Sequence, residues 1–253
     1  MKALITGASS GIGRDMARYL ASKGWDLILV ARREDRLKEL KTELNNVNVR
    51  IITTDVGQAD CCRELYEMTR DDGVDFLINN AGFGLAGEFT ATDLDTELNM
   101  IDVNIRALHI LCKLFLRDFT ARDSGVILNV ASSAGFMPGP LLSTYYASKN
   151  YVLRLTEAIS EELRRKGSRV TVTALCPGPV DTEFNKVAKV KFAMKGISSE
   201  DCARIAVDKA LKGKLIIIPS ASIKIGLFFR RFASEKFLLK LAYNFQRRKN
   251  EPK

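Results

Sequence analysis

Two hydrophobic patterns alternate along the chain. Short uninterrupted apolar runs are typical of strands buried on both faces, and apolar residues repeated every three or four positions are typical of amphipathic helices. The first pair is a strand at residues 2–6 and a helix at residues 12–23, which ends at Gly24. Six further strands are predicted at residues 26–31, 47–53, 74–79, 125–131, 169–176 and 214–219. Five further helices are predicted at residues 34–44, 59–70, 94–120, 143–166 and 199–211, the last capped by Ser198.

The alternation of buried strands and helices predicts an α/β fold. Continuous apolar strands need cover on both faces, and right-handed crossovers then place helices on both sides of a parallel sheet. We therefore expect a single domain with a doubly wound, Rossmann-type sheet of seven parallel strands over residues 1–219. Residues 178–196 are the longest stretch without a clear element, and they follow a strand end, where ligands bind in such sheets.

The composition restricts the class of protein. The chain has 253 residues, of which 46% are hydrophobic and 27% charged, enough apolar material for one large domain. Five cysteines without a C-x-x-C pair, together with a single histidine, predict free thiols and no metal site. We see neither a secretory signal nor an apolar stretch of about 20 residues, so we expect a cytoplasmic protein.

The net charge of +9 is concentrated at the carboxyl end. Residues 221–253 contain nine Lys or Arg and two Glu, a net charge of +7. The remaining body is nearly neutral, which argues against nucleic acid as a partner.

A glycine-rich loop follows the first strand and opens the first helix, a position typical of a phosphate-binding turn. Glycine allows the tight turn and lets backbone N–H groups approach a pyrophosphate, and the helix N-terminus adds partial positive charge. The candidate cofactor-binding residues in this loop are Gly7, Ser9, Ser10, Gly11, Ile12 and Gly13.

The end of the second strand indicates which dinucleotide binds. An acidic residue there would accept from the 2′-hydroxyl of NAD, but the strand ends in Arg32 and Arg33, with no acid before Glu34. Guanidinium groups suit a 2′-phosphate better than a hydroxyl. We therefore predict that NADP(H) is preferred over NAD(H), although both arginines could also be solvated residues at a helix start.

Several further motifs, in order along the chain, resemble the short-chain dehydrogenase/reductase family. The resemblance covers residues 2–219 and is more specific than any one motif. Tyr145 is followed four positions later by a lysine, Lys149, whereas the adjacent Tyr146 has no lysine at that spacing. Ser132, and not the adjacent Ser133, lies thirteen residues before Tyr145, the gap usual in the family. The other matching residues are Asp55, Val56, Asn79, Asn80, Ala81, Gly82, Asn104, Pro177, Gly178, Val180 and Thr182.

The resemblance implies an oxidoreductase that transfers hydride between a nicotinamide and a carbonyl or secondary alcohol. It implies that Asp55 and Val56 contact the adenine and that Thr182 holds the nicotinamide carboxamide. The remaining cofactor-binding residues would be Asn80, Ala81, Gly82, Tyr145, Lys149, Pro177, Gly178 and Val180. The catalytic residues would be Asn104, Ser132, Tyr145 and Lys149, with a water held by Asn104.

The spacing of Tyr145 and Lys149 has a chemical reason. Residues four apart on a helix share one face, so the ammonium can lie near the phenol. Tyrosine ordinarily has a pKa of about 10, and a nearby positive charge lowers it towards the working pH of an acid or base. Ser132 would hydrogen-bond the substrate oxygen on which negative charge develops.

The carboxyl-terminal segment leaves two interpretations open. Residues 223–245 interleave apolar and basic side chains, and such a segment could cap a substrate pocket or lie on an anionic membrane. We treat residues 220–253 as an extension that caps the substrate side, with membrane contact through residues 221–253 as the alternative.

Two alternatives on function also stay open. The chain could bind NADP(H) as a sensor or scaffold without catalysis, or its basic segment could serve mainly to bind a membrane or a nucleic acid. The apolar residues Val180, Phe184, Val187 and Phe192 favour a hydrophobic substrate. By analogy with the family, we expect a homodimer or homotetramer packed through the helices at residues 94–120 and 143–166.

Overall fold

A computed structural model describes residues 1–184 and 196–250. Seven parallel strands form one sheet with the order β3-β2-β1-β4-β5-β6-β7. The order reverses between β1 and β4, which is the arrangement of a doubly wound sheet and confirms the predicted fold class. The strands are β1 (Lys2–Thr6), β2 (Asp26–Ala31), β3 (Val49–Thr53), β4 (Phe76–Asn79), β5 (Val126–Val130), β6 (Thr171–Leu175) and β7 (Ile216–Ile217).

Helices cover both faces of the sheet because successive residues of each buried strand point to opposite sides. Ile5 of β1 belongs to a core with Leu20 and Val207, whereas its neighbour Leu4 belongs to a second core with Phe115 and Leu163. The helices are α1 (Gly11–Ser22), α2 (Glu34–Glu43), α3 (Ala59–Thr69), α4 (Leu94–Ile101), α5 (Leu108–Ala121), α6 (Ser143–Arg165), α7 (Ser199–Ala210), α8 (Ala221–Phe229) and α9 (Glu235–Asn250).

Two elements differ from their sequence-based prediction. The helix predicted at residues 94–120 contains a π-helical stretch, Asp102–Ala107, between α4 and α5. The strand predicted at residues 214–219 is reduced to Ile216–Ile217, because the Lys214 N–H bonds the Lys209 carbonyl in the turn after α7 and Pro219 has no N–H to donate.

The chain after β7 folds into α8, a short 3₁₀ turn and α9, which pack beside the carboxyl ends of the strands. Ile223 of α8 lies so close to Gly178 that a β-carbon on Gly178 would come within 2.7 Å of the Ile223 Cγ1 atom. Gln246 of α9 donates from Nε2 to the Tyr146 hydroxyl at 2.7 Å. Among the described residues, no helix is both long enough and apolar enough to cross a membrane.

Candidate active site

One large cavity, of about 920 Å³, opens at the carboxyl ends of the strands, around the point where the strand order reverses. Its walls come from the loops after β1, β2, β3, β4, β5 and β6, and from α8 and α9. It therefore lies where ligands bind in doubly wound sheets. The sequence-predicted residues that line it are Gly7, Ser9, Ser10, Gly11, Ile12, Arg32, Arg33, Asp55, Val56, Asn80, Ala81, Gly82, Ser132, Tyr145, Lys149, Pro177, Gly178, Val180 and Thr182.

The glycine-rich loop is held against the end of β4. Gly7 has a φ of +67° and Gly11 a φ of +54°, which other residues adopt only with strain. The Asn80 side chain donates to the carbonyls of Thr6 at 3.0 Å and of Gly7 at 3.2 Å. Gly13 does not line the cavity; a β-carbon there would collide with the Asn80 side chain, so its role is close packing.

A cluster of guanidinium groups lies at the end of β2. Arg33 donates from Nη2 to the Ser10 hydroxyl at 2.8 Å and from Nη1 to the Glu183 carboxylate at 3.0 Å. Arg36 donates to the same carboxylate at 2.6 Å, and this ion pair holds the pKa of Glu183 below its usual range. Arg32 points towards Asp55, with 3.6 Å between the nearest charged atoms. Arg36 and Glu183 were not predicted from the sequence, although a further arginine three positions after Arg33, in the first turn of α2, is a signal for Arg36.

The loops after β3 and β4 form a pocket beside this cluster. Asp55 accepts from the Gly57 N–H at 3.0 Å, which fixes the turn, and Val56 is nearly buried. Ala81 and Gly82 line the same cavity. The glycine-rich loop offers backbone N–H groups for a pyrophosphate, the arginines offer cations for a further phosphate, and this pocket offers an apolar wall for a base. The residues present therefore fit a dinucleotide cofactor.

Tyr145 and Ser132 meet across the cavity. The Ser132 side chain lies beside the Tyr145 phenol and acts to lower the pKa of that phenol, and the Ser132 hydroxyl accepts from the Ala134 N–H at 3.1 Å. A β-carbon on Gly135 would lie 2.7 Å from the Lys149 carbonyl oxygen, so glycine lets the Ser132 turn pack tightly on α6. The structure places Tyr145 beside Ser132, whereas the Tyr146 hydroxyl bonds Gln246.

Lys149 lies behind Tyr145 on the same face of α6. Its ammonium donates to the Val130 carbonyl at 2.9 Å and is 5.9 Å from the centre of the Tyr145 ring. Burial lowers the pKa of Lys149 to about 8 and raises the pKa of Tyr145 to about 12. The expected lowering of the tyrosine pKa by the lysine is therefore wrong for the protein alone, because desolvation outweighs the charge at this distance.

Asn104 lies in the π-helical stretch and does not line the cavity. Its amide accepts from the Phe83 N–H at 3.0 Å and donates to the Phe83 carbonyl at 2.9 Å and to the Ser148 hydroxyl at 3.1 Å. The residue thus connects the loop after β4 to α6, which carries the Tyr145–Lys149 pair. The water relay that the resemblance implies for Asn104 stays a prediction.

The segment after β6 forms the opposite wall. Thr182 packs against the glycine-rich loop, with its Cβ 3.2 Å from where a β-carbon on Gly11 would lie. The Phe184 ring lies 5.4 Å from the Tyr145 ring, centre to centre. Two residues expected to add apolar surface, Val187 and Phe192, lie outside the described residues.

The comparisons with known proteins agree on a family. The short chain dehydrogenase family model matches residues 1–191. An uncharacterized oxidoreductase of Staphylococcus aureus (strain MRSA252) is 35% identical over 182 residues, which are 71% of this chain and 78% of the relative.

Solved structures of short-chain dehydrogenases share the fold. The enzyme from Sphingobium yanoikuyae in complex with NADPH has a TM-score of 0.82 and 30% identity, covering 91% of this chain and 93% of that one. The enzyme from Burkholderia phymatum in complex with NAD has a TM-score of 0.83 and 25% identity, covering 91% and 92%. With its matching family model, its sheet order and its cavity, this chain belongs to the short-chain dehydrogenase family of oxidoreductases.

Proposed function

We propose that the protein is an NADP(H)-dependent oxidoreductase that interconverts a hydrophobic carbonyl compound and its secondary alcohol, with Tyr145 as the acid and base. The observation that carries the proposal is the convergence of the Tyr145 phenol and the Ser132 side chain in the wall of the cavity, with the Lys149 ammonium 5.9 Å from the centre of the phenol ring. A phenol and a hydroxyl that converge in this way can both contact one substrate oxygen.

The protonation states favour proton donation by Tyr145 at neutral pH. With its pKa raised to about 12, Tyr145 holds its proton until a negatively charged oxygen forms beside it. Lys149, with a pKa of about 8, is mainly an ammonium at neutral pH and can support the phenolate that donation leaves. When bound, the nicotinamide supplies or accepts the hydride. Lys149 would hold the ribose hydroxyls, Thr182 the carboxamide and the loop from Gly7 to Gly11 the pyrophosphate.

The cavity wall indicates the class of substrate. Beyond Tyr145, the lining is mostly apolar, so a polar substrate would lose hydration without gaining partners. A hydrophobic ketone or secondary alcohol fits this wall best. The apolar residues that line this end are Met137, Leu142, Phe184, Ile223, Leu227 and Leu238.

Replacement of Tyr145 tests the assignment of the acid and base. Tyr145→Phe removes the transferable proton and keeps the ring, so turnover with a hydrophobic ketone should fall by about 10²–10⁴-fold. The dissociation constant of NADPH, measured by fluorescence, should change little.

The matched control is Tyr146→Phe on the same helix, because its hydroxyl is engaged by Gln246. That variant should stay within about tenfold of the parent. Full turnover by Tyr145→Phe, or no oxidation of NADPH by the parent protein with any member of a diverse carbonyl panel, would contradict the proposal.

The arginine cluster supports a preference for NADP(H). Arg33 and Arg36 both bond one carboxylate, that of Glu183, and a carboxylate and a phosphate make the same demands on a guanidinium. The 2′-phosphate of NADP(H) would thus meet donors that already bind an anion.

The double variant R33A/R36A tests this preference. The dissociation constant of NADPH should rise about 10–100-fold, because each charge-assisted bond to the 2′-phosphate contributes about 1.5–3 kcal/mol and Glu183 competes for the same guanidinium groups. The dissociation constant of NADH, which has no 2′-phosphate, should change by less than about threefold. Isothermal titration with both cofactors measures the ratio. Arg204→Ala, which removes an exposed arginine on α7, is the control. An equal rise in the dissociation constants of NADPH and NADH would show that the two arginines do not bind the 2′-phosphate.

A further inference from the structure

We propose that α8 and α9 together form a docking surface for an anionic lipid bilayer, from which a lipid-soluble substrate reaches the cavity. The second half of this proposal rests on the proposed function; the first half does not. We call the segment at residues 221–247 the tail pair.

Helix α8 has apolar residues on two faces. Ile223 and Leu227 are partly buried and line the cavity. The other face carries Ile225, Phe228 and Phe229, of which 58%, 54% and 62% of the surface is exposed. An ordinary surface helix turns its apolar face inwards and its polar face to water, so α8 has one apolar face more than the fold requires.

The exposed face continues past the end of α8 as an aromatic cluster. The Phe228 ring lies 5.6 Å from Phe229 and 5.9 Å from Phe232, centre to centre, and Phe232 is 77% exposed. Phe237, at the start of α9, is 58% exposed. Contiguous aromatic surface of this kind marks an interaction site, because single exposed apolar side chains are common but clusters of them are rare.

Basic residues border the aromatic cluster. Lys236, Lys240 and Arg247 recur at helical spacing on one face of α9 with Tyr243, and Lys224 lies on α8. Lys224, Lys236 and Lys240 form no ion pair with another described residue. Aromatic groups at the depth of the headgroups, with flexible lysines beside them, are the pattern of helices that lie in a membrane interface.

The charge distribution favours lipid over a second copy of the chain. In a twofold interface the same patch faces itself, so the basic residues of the tail pair would oppose each other. Across residues 221–247 there are six Lys or Arg and one Glu, and only an anionic surface gains from that balance. We therefore assign the exposed face of the tail pair to an anionic bilayer.

The inner faces of the same helices connect this surface to the site. Leu238, Leu241 and Ala242 of α9 line the cavity, and Leu241 is also 55% exposed at its edge. A hydrophobic ketone dissolved in the bilayer would thus pass between two apolar helices before it meets Tyr145. The substrate class that fits this route is a carbonyl compound or alcohol that partitions into lipid.

Vesicle sedimentation of the full-length protein tests the docking surface without any enzyme assay. Vesicles of phosphatidylcholine with 30% phosphatidylglycerol should bind the protein at low salt, vesicles of phosphatidylcholine alone should bind it at least tenfold less, and 0.5 M salt should release it. The variant F229S/F232S, which leaves the cavity lining intact, should lower the partition coefficient by about tenfold or more.

Matched variants separate the tail pair from general effects of charge and hydrophobicity. K224E/K236E/K240E should lower partitioning by about a hundredfold, whereas K41E/K113E/K212E, with the same change of charge at exposed sites elsewhere, should lower it much less. Phe89→Ser, at a side chain 66% exposed, is the control for the phenylalanines. In F232W, the tryptophan emission should shift to shorter wavelength with anionic vesicles, since the native Trp25 is buried and gives a constant background.

Three results would overturn the docking surface. The first is that the parent protein does not bind anionic vesicles at low salt. The second is that the tail variants and their controls lose equal amounts of binding. The third is that the parent protein is a dimer that binds no vesicles and F229S/F232S is a monomer, which would make the aromatic cluster a contact between two copies of the chain. Activity separates the two halves of the proposal. If the parent binds vesicles and reduces water-soluble ketones but gains no rate with ketones held in them, the entry route fails while the docking surface and the proposed function stand.

Discussion

Lys149 brings an ammonium group into the interior of the protein, where only 5% of the residue's surface is exposed and the Val130 carbonyl is its hydrogen-bond acceptor. Burial lowers its pKa from 10.5 to about 8, so the folded state disfavours the charged form. At neutral pH the lysine is protonated in the folded and in the unfolded protein. Burial of its charge then lowers the free energy of unfolding by about 3 kcal/mol. Such a cost is typical of a group that a site needs and the fold does not.

Lys149→Met should therefore stabilise the protein while it abolishes turnover. Allowing about 1 kcal/mol for the lost hydrogen bond, we expect the free energy of unfolding at pH 7 to rise by about 1–2 kcal/mol. The penalty is complete below pH 8 and disappears as the pH rises towards 10.5, because the folded protein loses this proton before the unfolded chain does. The advantage of the variant should shrink over that range.

Urea unfolding at several pH values measures this difference, with the exposed Lys113→Met as control. A variant less stable than the parent at pH 7, or an advantage that grows with pH, would show that burial does not govern the pKa of Lys149.

At the scale of elements, the π-helical stretch between α4 and α5 decides where Asn104 points. The apolar pattern of residues 94–120 predicts one continuous helix, and nothing in that pattern distinguishes a π-helical turn from an α-helical one. The structure uses this stretch to direct the Asn104 amide at both polar groups of the Phe83 backbone. The loop that carries Gly82 is thereby fixed through the backbone of the next residue, Phe83.

Asn104→Ala should weaken cofactor binding as well as stability. The variant leaves the Phe83 backbone groups without partners, which should cost about 2–4 kcal/mol of unfolding free energy and loosen the loop. We expect the dissociation constant of NADPH to rise about tenfold or more.

Asn129→Ala provides the matched control for this prediction. Asn129 of β5 is fully buried and does not line the cavity; its amide accepts from Asn79 of β4 at 2.9 Å and donates to Thr156 of α6 at 3.0 Å. The Asn129→Ala variant should lose about as much unfolding free energy as Asn104→Ala, but its folded form should bind NADPH as tightly as the parent protein. Equal affinities in the two variants would remove Asn104 from the list of positioning residues.

At the scale of the whole molecule, a second apolar surface lies away from the tail pair. Leu94, Leu98 and Ile101 on α4 are exposed, and Tyr151 on α6 is 37% exposed and bonds His109 of α5 at 2.7 Å. Thr144 of α6 donates to Glu97 of α4 at 3.0 Å, so α4 lies beside the helix that carries Tyr151. We propose that this side forms the contact between subunits, through the helical segments at residues 94–120 and 143–166.

Leu98→Glu should convert the assembled protein into smaller species, because a carboxylate would be buried without a partner at the contact. Sedimentation velocity measures the change. Met68→Glu on α3 is the control, since the two side chains have nearly equal exposure, 49% and 51%. A parent protein that is monomeric at micromolar concentration, or a Leu98→Glu variant of unchanged size, would rule this contact out.

The layers of the fold and most of the residues around the cavity follow from local patterns in the sequence. Strand runs and helical spacing are local, and parallel strands have their carboxyl ends on one edge of the sheet, so the motifs had to meet there. The resemblance then supplied the roles expected for Ser132, Tyr145 and Lys149, although the stretch at residues 102–107 and the short β7 did not follow from their patterns.

Properties that depend on neighbours distant in the chain follow from the three-dimensional packing and not from local patterns. Glu183 meets Arg33 and Arg36 across roughly 150 positions of sequence, and no local pattern indicates that pairing. The pKa values of Tyr145 and Lys149 depend on how deeply each group is buried, which motif spacing does not contain. The sequence of the tail pair likewise predicts one amphipathic segment. The structure shows two apolar faces, because the inner face lines the cavity and the outer face remains exposed.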